Sequence, residues 1–140
     1  MRLHIVARGK IGRCPEQELV DRYIKRIGWP VKISELPDQG GKSPKLGGQT
    51  KIIAMDEGGD NWTSKKFSDH LSNWRDNGFR ETRFLIGAAD GLTDEERASA
   101  DHSFSFGKAT WPHMMARAML AEQLFRATAI IAGHPYHREG

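Results

Sequence analysis

A chain of 140 residues, 38% hydrophobic and 28% charged, has the size of one domain, and its recurring apolar runs exclude wholesale disorder. A single cysteine, Cys14, excludes an internal disulfide and any multi-cysteine zinc or iron–sulfur centre. The net charge of +3 is skewed: residues 1–70 hold 13 Lys and Arg against 9 Asp and Glu, whereas residues 71–140 hold 8 against 9. Arg2, Arg8, Lys10 and Arg13 all precede the first acid, Glu16, so the N-terminal margin is suited to a polyanion such as RNA. No apolar run approaches the roughly 18 residues of a membrane span. His4 interrupts the only N-terminal stretch resembling a signal-peptide core, and a cytoplasmic protein is expected.

Leu3 to Ala7 reads as a strand closed by Gly9. Pro15 opens a helix with Glu16 and Glu18 early and Lys25 and Arg26 late, as the helix dipole favours. Leu19, Tyr23, Ile24 and Ile27 form its apolar stripe, and Gly28 stops it. Val31 to Leu36 is a second strand with Val31, Ile33 and Glu35 on one face. The segment 38–49, with four glycines and a proline, is loop. Lys51 to Asp56 and Arg83 to Gly87 are compact runs typical of strands buried on both faces. Between them, Thr63 or Ser64 caps a helix bearing Phe67, Leu71 and Trp74 and ending near Gly78. Thr93 and Glu96 form a capping box for a helix over 94–101, Ser103 to Phe106 alternates like a strand, and a last helix runs from Pro112 to Gly133.

Strands alternating with helices predict an α/β fold with a mostly parallel sheet flanked by helices. Ligands in such folds bind beyond the carboxyl ends of the strands. The glycine-bearing turns at Asp56–Gly59 and Gly87–Gly91 are therefore the first place to seek a cofactor. Fourteen of the nineteen residues from Met114 to Ala132 are apolar. Arg117 and Thr128 share one narrow stripe, and Glu122 pairs with Arg126 on the opposite side. Two apolar faces remain where a single sheet covers one, which favours a homodimer.

Several familiar sites fail. Gly41-Lys42-Ser43 resembles the end of a P-loop, but Leu36 stands where its first glycine belongs and Pro44 opposes the helix. No G-x-G-x-x-G follows a strand and no G-x-S-x-G exists. His134 and His137 lack a neighbouring carboxylate or thiol partner, so no metal is expected.

What remains is a constellation in the second half. Phe84-Leu85-Ile86-Gly87 leads to Gly91-Leu92, followed by Ser103-Phe104-Ser105-Phe106, Trp111-Pro112-His113, Arg117, Ala121-Glu122-Gln123-Leu124 and Arg126. The chain closes on His134-Pro135-Tyr136-His137-Arg138-Glu139. This resembles the ribosomal large-subunit methyltransferase H family, a group within the SPOUT methyltransferases, along nearly the whole chain. The resemblance implies a single domain over 1–140 whose C-terminal segment forms a trefoil knot. It also implies a homodimer that binds S-adenosylmethionine and methylates N3 of a pseudouridine in 23S ribosomal RNA on the assembled ribosome. It places the cofactor at Met55, Gly87, Phe106, Gly107, Lys108, Ala109, Thr110 and Trp111. The tail residues His134, Tyr136, His137 and Arg138 become the substrate-side cluster, completing the partner subunit's site.

Within that reading, His137 is suited to accept the N3 proton, Arg138 to stabilise the uracil-like anion or bind phosphate, and Tyr136 to stack on the base. Arg8, Lys10 and Arg13 are expected to face RNA phosphates, whereas Arg117 serves equally as an RNA contact or as a ligand of loop carbonyls. Two features depart from the family pattern. Ala88 stands where a glycine is usual, so a left-handed residue at that point would force the turn to shift. The segment 38–49 is too short and broken for the helix usually found between the second and third strands, leaving one sheet face without that cover. A different RNA target, or a non-catalytic RNA-binding domain, remains an alternative at this stage.

Overall fold

The computed structural model describes residues 1–138. Five strands and four helices follow in the order β1 (Arg2–Arg8), α1 (Pro15–Ile24), β2 (Val31–Leu36), β3 (Thr50–Asp60), α2 (Ser64–Asp76), β4 (Glu81–Ile86), α3 (Asp94–Ser99), β5 (His102–Phe104) and α4 (His113–Ile131). The sheet order is β2-β1-β4-β3-β5, and every pairing is parallel.

Central β1 and β4 are buried along nearly their whole length, with the buried polar groups His4, Glu81, Thr82 and Arg83 among their apolar residues. Leu3, Ile5, Ala7, Phe84 and Ile86 point to one face, where they meet Phe67, Leu71 and Trp74 of α2 and Leu120, Leu124 and Ala127 of α4. Thr63 caps α2 by accepting from the Lys66 amide, 3.0 Å away. Val20 of α1 packs beside the same face against Ala118 and Ala121. The expected stripe on α1 needs correction. Val20 is its only fully buried residue, Leu19 is 36% exposed, and the helix ends at Ile24, short of Gly28. Two tight bonds, Arg26 N–H to the Tyr23 carbonyl and Ile27 N–H to the Ile24 carbonyl, then turn Ile27 inward.

Three other boundaries differ from expectation. The Asp56–Gly59 segment is not a free turn: β3 continues to Asp60, and Met55 and Asp60 both pair with Phe104, so the intervening residues bulge out. Gly59 permits this approach, because a Cβ there would lie 2.6 Å from the Ser103 carbonyl carbon. Strand β5 stops at Phe104, and α3 stops at Ser99.

The opposite sheet face carries Val6, Ala54, Leu85 and Leu92 together with a buried polar network. Its cover is not a helix but the extended segment 37–49, held by two arginines from the strands. Arg83 donates to the Pro44 and Lys45 carbonyls at 2.6 and 3.3 Å. Arg8 donates to the Pro37 and Gly40 carbonyls at 2.9 and 2.5 Å, and to Glu96 of α3 at 3.3 Å. Arg8 therefore faces inward, contrary to its expected RNA-facing role. Beneath the segment, Glu81 accepts from Arg83 at 2.7 Å and from Arg2 at 2.9 Å. His4 bridges Glu81 and Ser34 at 3.2 and 2.8 Å. Burial works against the Glu81 charge, yet Arg2 and Arg83 outweigh it and hold the carboxyl below its usual range. Burial likewise pushes the His4 imidazole down, overcoming the pull of Glu81.

Candidate cofactor site

A cavity of about 600 Å³ opens at the carboxyl ends of β3 and β4, bounded by the 87–91 turn, the segment 105–112 and the first turn of α4. It lies where open α/β sheets place their ligands, and its size falls in the usual range of about 300–1,000 Å³ for small-molecule sites. Of the residues to which the resemblance assigns the cofactor, Met55, Gly87, Phe106, Gly107, Ala109, Thr110 and Trp111 line it. Lys108 does not: it is exposed and absent from the wall.

The 87–91 turn resolves the question raised by Ala88. The Gly91 N–H donates to the Ala88 carbonyl at 2.8 Å, and Gly91 takes the left-handed conformation at φ +85°. Ala88 has no positive φ. Gly87 is required by contact rather than by φ, since a Cβ there would sit 2.3 Å from the Gly91 carbonyl carbon. The capping box then anchors the chain leaving the turn. Thr93 Oγ1 accepts from the Glu96 amide, while Glu96 Oε1 accepts from the Thr93 amide.

Across the cavity, Thr110 donates to Glu57 at 2.8 Å, tying the 105–112 segment to the bulge of β3. The Ser105 hydroxyl lies 2.6 Å from the Gly107 carbonyl and 3.2 Å from that of Glu57, and accepts from the Gly107 amide. Arg97 of α3 reaches Asp56 at 3.4 Å. Ser105 and the cavity-lining His113 stand in the motifs that carry the resemblance but, like Arg97, were assigned no place at the site. Ser105 stands in an alternating run, and Arg97 also pairs locally with Asp94 at 3.3 Å, which masks its reach to Asp56.

Apolar Met55, Ile86, Leu92, Phe104 and Phe106 beside Asp56, Glu57 and Asp90 make a site with oily walls and an acidic rim. That donor set fits S-adenosylmethionine, whose adenine is flat and weakly polar and whose sulfonium is cationic. Among the described residues no group of three or more His, Cys, Asp or Glu is placed to hold a metal ion. Nor is any helix among them long and apolar enough to cross a membrane.

The tail lies elsewhere. Tyr136 packs on Phe125 with ring centroids 4.6 Å apart, lies under the Arg126 guanidinium at 4.8 Å, and donates to Glu122 at 3.3 Å. Burial and Glu122 push its phenol pKa up. His137 Nδ1 is 3.1 Å from Arg126, and the expected Glu122–Arg126 pair is present at 2.6 Å. His134 and Arg138 are exposed, and Glu139 lies outside the described residues. None of the four tail residues lines the cavity.

Arg117 is only 1% exposed and serves the loop, not solvent. It meets Glu35 at 2.5 Å and the Gly9 carbonyl at 3.1 Å. Burial opposes ionisation of Glu35, but Arg117 and the Ile11 amide hold its pKa low. A second hollow of about 370 Å³ lies between α1 and α4, lined by Leu19, Tyr23, Phe106, Ala118, Met119, Glu122 and Gln123. Phe106 therefore borders both hollows.

Residues 1–137 match the family model described as predicted SPOUT methyltransferase. A curated relative from Sphingopyxis alaskensis, ribosomal RNA large subunit methyltransferase H, is 64% identical over 140 residues, covering 100% of this chain and 99% of the relative. Among solved structures, a probable methylase family protein from Haemophilus influenzae Rd KW20 superposes with a TM-score of 0.61 at 10% identity, over 99% of this chain and 70% of its own. The SpoU methyltransferase AviRb of Streptomyces viridochromogenes, in complex with AdoMet, gives 0.54 at 14% identity, over 96% and 58%. These two share the fold. With its parallel sheet, its cavity and these matches, the chain belongs to the SPOUT methyltransferases, within the ribosomal RNA large subunit methyltransferase H family.

Proposed function

We infer that this protein is a cytoplasmic, single-domain methyltransferase over residues 1–140 that methylates N3 of a pseudouridine in 23S ribosomal RNA on the assembled ribosome. The rRNA target rests on the name of the 64%-identical relative, and the cofactor on the family and the fit of the cavity. S-adenosylmethionine supplies an electrophilic methyl carbon. In this reading the acidic rim and the 105–112 segment hold and orient the cofactor, and the family's trefoil knot shapes the site.

The carrying observation is the separation of cavity and tail. Ala116 at the cavity and Arg126 at the tail are ten residues apart on α4, about 15 Å at the helical rise. A tail held at that distance serves a second chain's cavity more readily than its own. The hollow between α1 and α4, with Leu19 and Met115 36% and 40% exposed, supplies the apolar surface for a homodimer. In the dimer His137 accepts the N3 proton, Arg138 stabilises the charge left on the uracil-like ring, and Tyr136 stacks on the base while His134 borders the site.

Labelled-methyl transfer to ribosomes lacking native modifications, followed by mapping of the labelled nucleotide, tests the reading. Label at N3 of one pseudouridine in 23S RNA is expected. Label at another RNA position would replace the target, and no transfer together with no calorimetric binding of S-adenosylmethionine would replace the enzyme by an RNA-binding domain.

A further inference from the structure

The 37–49 segment is an unusual cover for a sheet, because four of its backbone carbonyls are committed to two buried arginines. Arg8 takes Pro37 and Gly40, and Arg83 takes Pro44 and Lys45. The segment is thus fixed by its backbone, with the side chains of Lys42, Lys45 and Leu46 exposed. Lys32 of β2 is in register with His4, on this same face, and is exposed at its edge. Arg80 is exposed at the far end, close to Gly48.

The two carboxylates beneath and beside the segment are engaged by its arginines. Glu81 is buried against Arg2 and Arg83, and Glu96 is engaged by Arg8 and the Thr93 amide. The 37–49 segment with Lys32 and Arg80 carries four cations, Lys32, Lys42, Lys45 and Arg80, against one acid, Asp38, while the exposed acids Asp94, Glu95 and Asp101 lie on and just after α3 of the same layer. That local excess of three equals the net charge of the whole chain. Leu46, 55% exposed in the middle, offers an apolar contact that a free phosphate would not use but a ribose or base would. The segment starts beside Arg8, one ion pair from the helix that follows the 87–91 turn, and runs to the opposite end of the sheet. RNA entering the cavity can continue along it.

We propose that the arginine-clamped segment 37–49, with Lys32 and Arg80, is an RNA-backbone contact surface that guides the substrate to the cofactor cavity. The proposal rests on RNA being the substrate. Fixing the segment through buried arginines means that little ordering entropy remains to be lost when RNA binds.

The test compares two triple variants with wild type, using purified ribosomes lacking native modifications. K32A/K42A/K45A removes three cations from the surface. K65A/K66A/R75A removes the same charge from α2, on the opposite layer. Co-sedimentation with ribosomes over a salt series measures binding, and methyl transfer gives KM and kcat. For the first triple the expected result is a KM about tenfold higher near 0.15 M salt with kcat and S-adenosylmethionine affinity unchanged. The slope of log affinity against log salt should shallow by about 2, from about 0.7 per lost single-strand phosphate contact. The α2 triple should stay within about twofold of wild type. Equal effects from both triples, or none from the first, overturn the proposal. If wild type binds ribosomes with this salt dependence yet transfers no methyl, the methyltransferase reading fails and the surface stands. If wild type binds no ribosomes, the surface falls as well.

Discussion

The two ends of α4 do different work. At its N-terminal end Pro112, His113 and Ala116 wall the cofactor cavity. Its C-terminal half carries Glu122, Phe125 and Arg126, against which Tyr136 and His137 are laid. Both ends share one helix and one sheet, but among the described residues the tail does not reach the cavity wall. In the proposed reading a small domain holds its cofactor with one part, presents its substrate-side groups with another, and leaves the joining to a second copy.

The largest effect should come from the tail. His137→Ala with Arg138→Ala is expected to lower kcat by about 10²–10⁴-fold, the usual contribution of a positioned proton acceptor and more. Calorimetry should find S-adenosylmethionine binding unchanged, and a matching loss of cofactor affinity would merge the two ends. In the middle of the helix, Arg117→Leu removes the guanidinium from Glu35, leaving it the Ile11 amide, and removes a donor from the Gly9 carbonyl. We expect a loss of about 2–3 kcal/mol in denaturant unfolding, the scale of hydrogen bonds to a charged group. At the cavity end, Gly87→Ala drives a Cβ into Gly91, and cofactor affinity should fall about tenfold or more while the chain stays folded.

Acidification gives the smallest and broadest effect. Burial lowers the pKa of His4, and burial with His102 lowers that of His70, so both rings are neutral in the fold and bind protons more readily when unfolded. Stability should therefore decline as pH falls below their ordinary value of 6.5. Glu81 and Glu35 have depressed values, so their contribution is present above 4.5 and is lost as pH falls through their lower folded pKa. Denaturant unfolding at several pH values should show decline across both windows. A flat profile would mean that the buried network beneath the 37–49 segment is not charged as described.

The strands, the caps and the strand-end turns of the cavity were legible because each rests on local pattern, whereas the 106–111 wall came from the resemblance. Phe67, Leu71 and Trp74 recur at helical spacing, Thr93 and Glu96 stand three apart, and Gly87 ends an apolar run. What escaped depends on partners distant in sequence. Arg8 looks like a free surface cation until Glu96 and the carbonyls of Pro37 and Gly40 close around it. Arg117 finds Glu35 across 82 positions, and Thr110 finds Glu57 across 53. The missing helix over the sheet was visible as a deficit in 38–49, but the arginine clamp that replaces it was not. The resemblance placed Lys108 with Phe106, Gly107, Ala109, Thr110 and Trp111, but its neighbours line the cavity without it.

A mixed-dimer experiment tests the division of α4 most directly. Chains carrying Gly87→Ala have a damaged cavity and an intact tail, and chains carrying His137→Ala with Arg138→Ala have the reverse. With S-adenosylmethionine held at or below its wild-type Kd, each should be strongly impaired alone, the cavity variant through weaker cofactor binding and the tail variant through kcat. Co-refolded in equal amounts, they should regain roughly a quarter of wild-type methyl transfer, because half of the dimers are mixed and each has one intact site. No regained activity in dimers verified as mixed would mean that each tail serves its own cavity, contradicting the account.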